Sequence, residues 1–222
     1  MQTSLSLMRP LLMVGVLTLA ACQPADKDTD KMPTGVVAKA MDEAANSLGD
    51  ASQEMEKARG EIAAAREKLA LANLSLNRDT TEHLPKAEIT PAGELLIEGK
   101  AIATTPEQKA LVLAYRNELL GVVGDSMAIG MEGARVGIDA AASALKGMLA
   151  GQSGDDIGKQ VGDQAKAKIK PMVAQLCTRL PGLLSAQRAL ATAVPEFAPY
   201  ATMDQADVDD CADANGNGTW TF

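Results

Sequence analysis

The sequence predicts a mainly α-helical protein, and three observations lead to that class. The 222 residues are 46% hydrophobic yet hold only five aromatics, Tyr115, Phe197, Tyr200, Trp220 and Phe222. Any core is therefore aliphatic, drawn chiefly from Ala, Leu, Val and Met, where a sandwich or barrel would use more aromatic and β-branched residues. The second observation is an unbroken seven-residue repeat of apolar positions over 37–76. The third is a helix-opening signature at Thr105-Pro106-Glu107-Gln108. Together they predict a long amphipathic heptad helix, a small β-hairpin or meander at about 87–103, and several packed helices at about 106–194.

Residues 1–21 read as an export leader and stand outside the fold. Arg9 is its positive flank, and 11–20 is an apolar run of ten residues, too short to span a bilayer. The run ends in Leu19-Ala20-Ala21-Cys22, which looks like a bacterial lipobox, in which the cysteine is diacylated and becomes the new N-terminus. A leader cut beside an ordinary Cys22 is the simpler alternative. Several acyl chains on one residue anchor stably, whereas a single chain binds only marginally. Gln23 stands where many lipoproteins retained in the inner membrane have Asp, so the expected place is the periplasmic face of the outer membrane.

Loss of the leader removes Arg9 and no acid, which takes the 21 basic and 29 acidic residues to 20 and 29, a net charge of −9. That balance disfavours nonspecific binding to nucleic acid or anionic lipid. Residues 22–35 follow as a polar tether, with two prolines and a cluster of Asp and Lys.

The heptad helix is expected over 36–77. Met41, Ala44, Leu48, Ala51, Met55, Ala58, Ile62, Ala65 and Leu69 step by three and four, placing a bulky and a small residue alternately along one seam. Glu54/Arg59 and Glu61/Arg66 fall where ion pairs between chains would lie in a parallel coil. The seam fits self-association or packing on another helix of the same chain equally well. Leu74-Ser75-Leu76 also alternates like a strand, which leaves the end of the helix open.

An α-rich domain with a β-hairpin is expected over 78–202. Short alternating runs at 87–90, 94–98 and 101–103 are broken by Pro-Ala-Gly and Glu-Gly-Lys, the pattern of tight-turned strands. Thr105 then serves as N-cap, Pro106 as the first helical residue, and Gln108 completes a capping box. The helix from Pro106 extends toward Leu149, with Gly121, Gly124, Gly130, Gly133 and Gly137 inside it. Close packing of soluble helices, with kinks at glycine, accounts for these. A helix at about 155–180, kinked at Pro171, and another at about 181–194 follow. Residues 203–222 form an acidic tail.

With Cys22 assigned to lipid, Cys177 and Cys211 remain in an oxidising compartment, where a disulfide is expected, with free buried thiols as the alternative. No CxxC pair exists.

The block PKAEITPAGELLIEGKAIATTPEQKALVLAYRNELL, with QLCTRL and YATMDQADVDDC downstream, resembles the YggN-like family of exported bacterial proteins. Ile89-Thr90-Pro91, Gly93, Gly99-Lys100 and Tyr115-Arg116 stand at the family's intervals, and the resemblance covers roughly residues 70–211. It implies an envelope location, a short β segment before a long helical region, and no established activity.

Catalytic chemistry finds no support. His83, the only histidine, sits in a polar stretch before the strands and reads as a solvated loop residue. Walker A, GxSxG and HExxH patterns are missing, and so few aromatics give no platform for sugars. No cofactor is expected and no metal site is assigned. Asp213, Asn215 and Asn217 match the opening of a calcium loop, but its twelfth position would be residue 224, past Phe222, so a polar turn is the simpler expectation. The function expected is a non-enzymatic structural or protein-interaction role at the outer membrane, through self-association or an envelope protein partner. The alternative is a carrier or sensor of amphiphiles in a groove between Gly-, Ala- and Met-rich helices.

Overall fold

The computed structural model describes residues 34–77 and 81–217. Four helices and four short strands follow in order: α1 Thr34–Leu71, β1 Leu74–Ser75, β2 Ala87–Ile89, β3 Leu95–Ile97, β4 Lys100–Ala101, α2 Pro106–Leu149, α3 Gly154–Ala193 and α4 Gln205–Asn217, with a 3-10 helix at Pro195–Tyr200 before α4. The chain is mainly α with a small antiparallel meander, as its sequence predicts. Residues from Ala40 onward form one compact unit. No described helix is long and apolar enough to cross a membrane.

The capping box forms as its residue types require. The Thr105 hydroxyl accepts from the Gln108 amide, while the Gln108 side chain accepts from the Thr105 amide at 2.9 Å. Gln108 also donates to the carbonyl of Ala193 at 2.6 Å, tying the start of α2 to the end of α3. At the far end Gly151, with φ of +72°, and the Ser153 N-cap turn the chain into α3, so α2 and α3 form a long antiparallel hairpin. Gly147 lets the two helices meet there, since a Cβ on it would come within 2.7 Å of Ile157.

The sheet is a meander in the order β1-β2-β3-β4. Ile97 pairs with Lys100 across a two-residue turn in which Glu98 (φ 50°) and Gly99 (φ 75°) are both left-handed, the geometry that matches strand twist. The sheet buries Leu74, Leu76, Ala87, Ile89 and Leu95 against Val112, Tyr115 and Leu119 of α2, with Leu183 and Leu190 of α3 completing the core. Three of the five aromatics meet here. The Tyr115 and Phe197 rings pack edge to face at 5.1 Å, and the Tyr200 hydroxyl donates to Pro85 at 2.7 Å.

Four expectations change. The heptad helix ends at Leu71, not 77: Leu74 of β1 and Leu76, just past it and hydrogen-bonded to Ala87 at 2.9 Å, both enter the core, whereas a helix would set them about 200° apart. The two helices expected to divide near 180 are one, running through Pro171 and Pro181. Both proline rings are exposed, and each removes one main-chain hydrogen bond from the helix. Val173, Cys177, Leu183, Leu184 and Leu190 stay buried through this stretch, and that packing outweighs the local cost of about 3 kcal/mol per proline.

The acidic tail is helical over Gln205–Asn217. The Asp204 carboxylate accepts from the amides of Ala206 and Asp207, at 2.7 and 3.2 Å, and starts α4. The glycines also divide. Gly121, Gly124 and Gly147 lie under Arg179, Arg66 and Ile157, but Gly130, Gly133, Gly137, Gly154, Gly158 and Gly162 face open space, so close packing within the chain accounts for the first set only.

Candidate functional site

A shaped surface lies between α1 and the α2–α3 hairpin. Every residue from Ala40 to Leu71 that is not exposed belongs to the predicted seam: Met41, Ala44, Leu48, Ala51, Met55, Ala58, Ile62 and Leu69. Ala65 alone of the seam is exposed. The stripe therefore faces the chain's own helices, with Met55 the most deeply buried. The charged residues flanking the seam also make contacts within the chain. Arg59 pairs with Glu56 at 2.8 Å and Lys57 with Glu54 at 2.5 Å, both within α1. Arg66 crosses to α2 and donates to the carbonyl of Gly124 at 2.7 Å.

The α1 backbone stands farther from α2 and α3 than those two stand from each other. A groove results, formed of two adjoining cavities of about 280 and 290 Å³ that share Arg66 and Met127. Ile62, Met131 and Met172 line the first, and Leu69, Leu120 and Gly124 the second. Thioethers and methyls make a wall that adapts to ligand shape, and the Arg59, Arg66 and Arg179 guanidinium groups border it.

Ion pairs hold this framework. Arg179 of α3 pairs with Asp125 of α2. Asp139 of α2 accepts from Lys168 of α3 at 2.9 Å, and Arg135 grips Glu132 at 2.6 Å. The Lys168 hydrogen bond holds the Asp139 carboxyl below its ordinary range, and the Arg135 hydrogen bond does the same for Glu132. Both acids are therefore ionised and weakly basic near neutrality. The groove sets thioethers and methyls beside guanidinium groups.

No protein family, curated protein or solved structure matches this chain.

The remaining predicted site residues fall as follows. Cys177 and Cys211 are joined by a disulfide with a Cα–Cα distance of 5.6 Å, pinning α4 to α3. Cys22 lies outside the described residues. Asp213, Asn215 and Asn217 belong to the helix α4, where alternate positions are about 200° apart. The loop that would gather them round a cation is not formed there, and Gly218 lies outside the described residues. Among the described residues no cluster of three or more His, Cys, Asp and Glu side chains is placed to hold a metal. His83 is exposed in a turn before β2.

One structural centre escaped the sequence-based reasoning. Arg116 is 2% exposed and donates to the carbonyls of Ala70 and Ala72 at 2.8 Å, Leu69 at 3.3 Å and Ile89 at 3.1 Å. It closes the C-terminus of α1 and fastens it to the sheet. The signal was present, because Arg116 follows Val112 by four and precedes Leu119 by three, the spacing of one core face.

Proposed function

We propose that this chain is a lipoprotein of the bacterial envelope, held at the periplasmic face of the outer membrane through Cys22, with a non-enzymatic structural or protein-interaction role. The observation that carries this reading is the division of the three cysteines. Cys177 and Cys211 are consumed in one disulfide, a bond that persists in oxidising compartments. The third lies at the end of an export leader, after Leu19-Ala20-Ala21. The interior supports a scaffold more than a catalyst: the buried Arg116 holds main-chain oxygens, and the buried Gln187 holds Met203 through both its backbone groups. The envelope location implied by the YggN-like resemblance agrees with this proposal.

The seam of α1 packs inward, so an interaction role falls to the other faces of the bundle and to the groove. An inhibitor of lipoprotein signal peptidase tests the anchor. The uncleaved precursor should accumulate in treated cells, and processing that ignores the inhibitor would refute the proposal.

A second role, binding amphiphiles, is favoured by one observation, the Met127, Met131 and Met172 lining between α1 and the hairpin. Native mass spectrometry of protein extracted from membranes should show a retained fatty acid or lysophospholipid. Loss of that adduct in Met127→Asp with retention in Leu71→Asp would locate it in the groove, and protein free of any lipid adduct counts against this role.

A further inference from the structure

Among the described residues, two of the three exposed large hydrophobics, Met148 at 60% and Leu149 at 61%, are neighbours at the tip of the α2–α3 hairpin. The third, Leu71 at 79%, closes the opposite end of α1. Burial inside the chain does not explain the pair at the tip, and the direction of α1 supplies a covering surface.

The contact of Arg66 with Gly124 sets the register of α1 on α2. Ile62 shares a cavity wall with Met131, and Leu69 one with Leu120, so the two helices run antiparallel. Twenty-five residues back from Arg66 is Met41, and twenty-five forward from Gly124 is Leu149. At about 1.5 Å per residue both lie about 38 Å from the Arg66 contact. Met41 therefore stands level with the hairpin tip, and the chain enters the bundle at that end.

The link to the anchor is short. From Cys22 to Thr34 is twelve residue steps, at most about 43 Å when fully extended. The seven helical steps from Thr34 to Met41 add about 10 Å. The sheet end of α2, with its 44 residues, lies about 66 Å from the tip. An upright molecule resting its sheet on the membrane would carry Met41 beyond the reach of the anchored chain, whereas one resting on its tip would not.

We infer that Met148 and Leu149 form a membrane-contacting tip, dipping into the bilayer that holds the lipid on Cys22. This inference rests on the lipoprotein reading. The bundle then stands with the hairpin tip toward the membrane and the sheet directed into the periplasm. The tip carries Lys146 against Asp155 and Asp156, so the contact is apolar and insensitive to salt.

The test uses full-length lipidated protein in phosphatidylethanolamine vesicles whose acyl chains are brominated. Trp220→Phe removes the native reporter, and Leu149→Trp or Leu71→Trp, both at exposed positions, supplies a new one. A side chain seated roughly 5–10 Å into the interface lies within quenching range. Leu149→Trp should lose at least about half of its emission on brominated vesicles, in low and high salt alike, and Leu71→Trp almost none. Equal quenching of the two, or an unquenched Leu149→Trp on vesicles that float with the protein, overturns the tip contact while the anchor stands. Protein that lacks acyl mass and fails to float overturns both.

Discussion

Arg116 of α2 donates to the carbonyl of Ala72 at 2.8 Å, one residue past the end of α1. The same guanidinium reaches Ala70 and Leu69 in the last turn of α1 and Ile89 in β2. It is buried, and among the described residues its hydrogen-bond partners are all main-chain carbonyls. The last carbonyls of a helix are its negative pole, so the end of α1 serves as the counter-charge. Burial lowers the Arg116 pKa from its ordinary value, yet a guanidinium remains charged at any physiological pH.

Arg116→Met should therefore destabilise the fold by about 3 kcal/mol or more, because four carbonyls lose a charged donor together. Arg116→Lys should recover only part of this, since one ammonium cannot span the same four oxygens. Denaturant unfolding measures both. A loss under about 0.5 kcal/mol for Arg116→Met, the range of an ordinary surface change, would show that the clamp carries no weight.

The disulfide closes a loop between positions 177 and 211, a separation of 34 residues. The chain-entropy relation assigns such a loop about 3–4 kcal/mol. Among the side chains described, α4 otherwise rests on Val208 alone as a buried apolar contact. Cys177→Ser with Cys211→Ser should thus lower global stability and, before that, expose α4 to proteolysis. Limited digestion followed by mass analysis would detect cleavage after Thr202 in the variant and not in the parent. Identical digestion patterns would mean that α4 is held by something other than the disulfide.

The seam of α1 packs on its own chain, so substitutions there should unfold rather than dissociate. Met55→Asp places a charge at a position that is 8% exposed and should cost about 3 kcal/mol. Sedimentation of residues 23–222 should find a monomer in the parent. A stable dimer that Met55→Asp converts to a folded monomer would return the seam to the space between chains.

Acid should loosen the hairpin. The folded-state pKa values of Glu132 and Asp139 are lowered, by the hydrogen bonds from Arg135 and Lys168 respectively. Their contribution is therefore complete above the ordinary carboxylate values, 4.5 and 3.8, and is lost as pH falls through the lower folded values. Asp139 is 44% exposed and Lys168 35%, so solvent screening limits the effect to about 1 kcal/mol or less. Glu132→Gln with Asp139→Asn should flatten part of the acid limb of a stability profile measured by thermal melting. An unchanged acid limb would assign it to other carboxylates.

Local rules made much of this fold legible. The inward face of α1 follows from the spacing of Met41 to Leu69, and the start of α2 from Thr105 and Gln108. The last hairpin turn follows from Glu98-Gly99, and the disulfide from the number of cysteines left after Cys22. What escaped depends on tertiary context. Local preference breaks α3 at Pro171 and Pro181, but buried residues from Val173 to Leu190 hold it as one helix. Asp204-Gln205-Ala206-Asp207 carries a capping pattern that the surrounding acidity concealed. The groove arises from the spacing between α1 and α2, a distance that no single helix encodes. The calcium-like spacing of Asp213, Asn215 and Asn217 has meaning only in a loop, and the backbone there is helical.

The intact mass of the mature protein, extracted from membranes without reductant, tests the central claim most directly. The lipoprotein account predicts a chain that begins at Cys22, carries acyl mass on that residue and is two hydrogens lighter through the Cys177–Cys211 bond. A chain that keeps its leader, or one that begins elsewhere with Cys22 absent or bare, would contradict it.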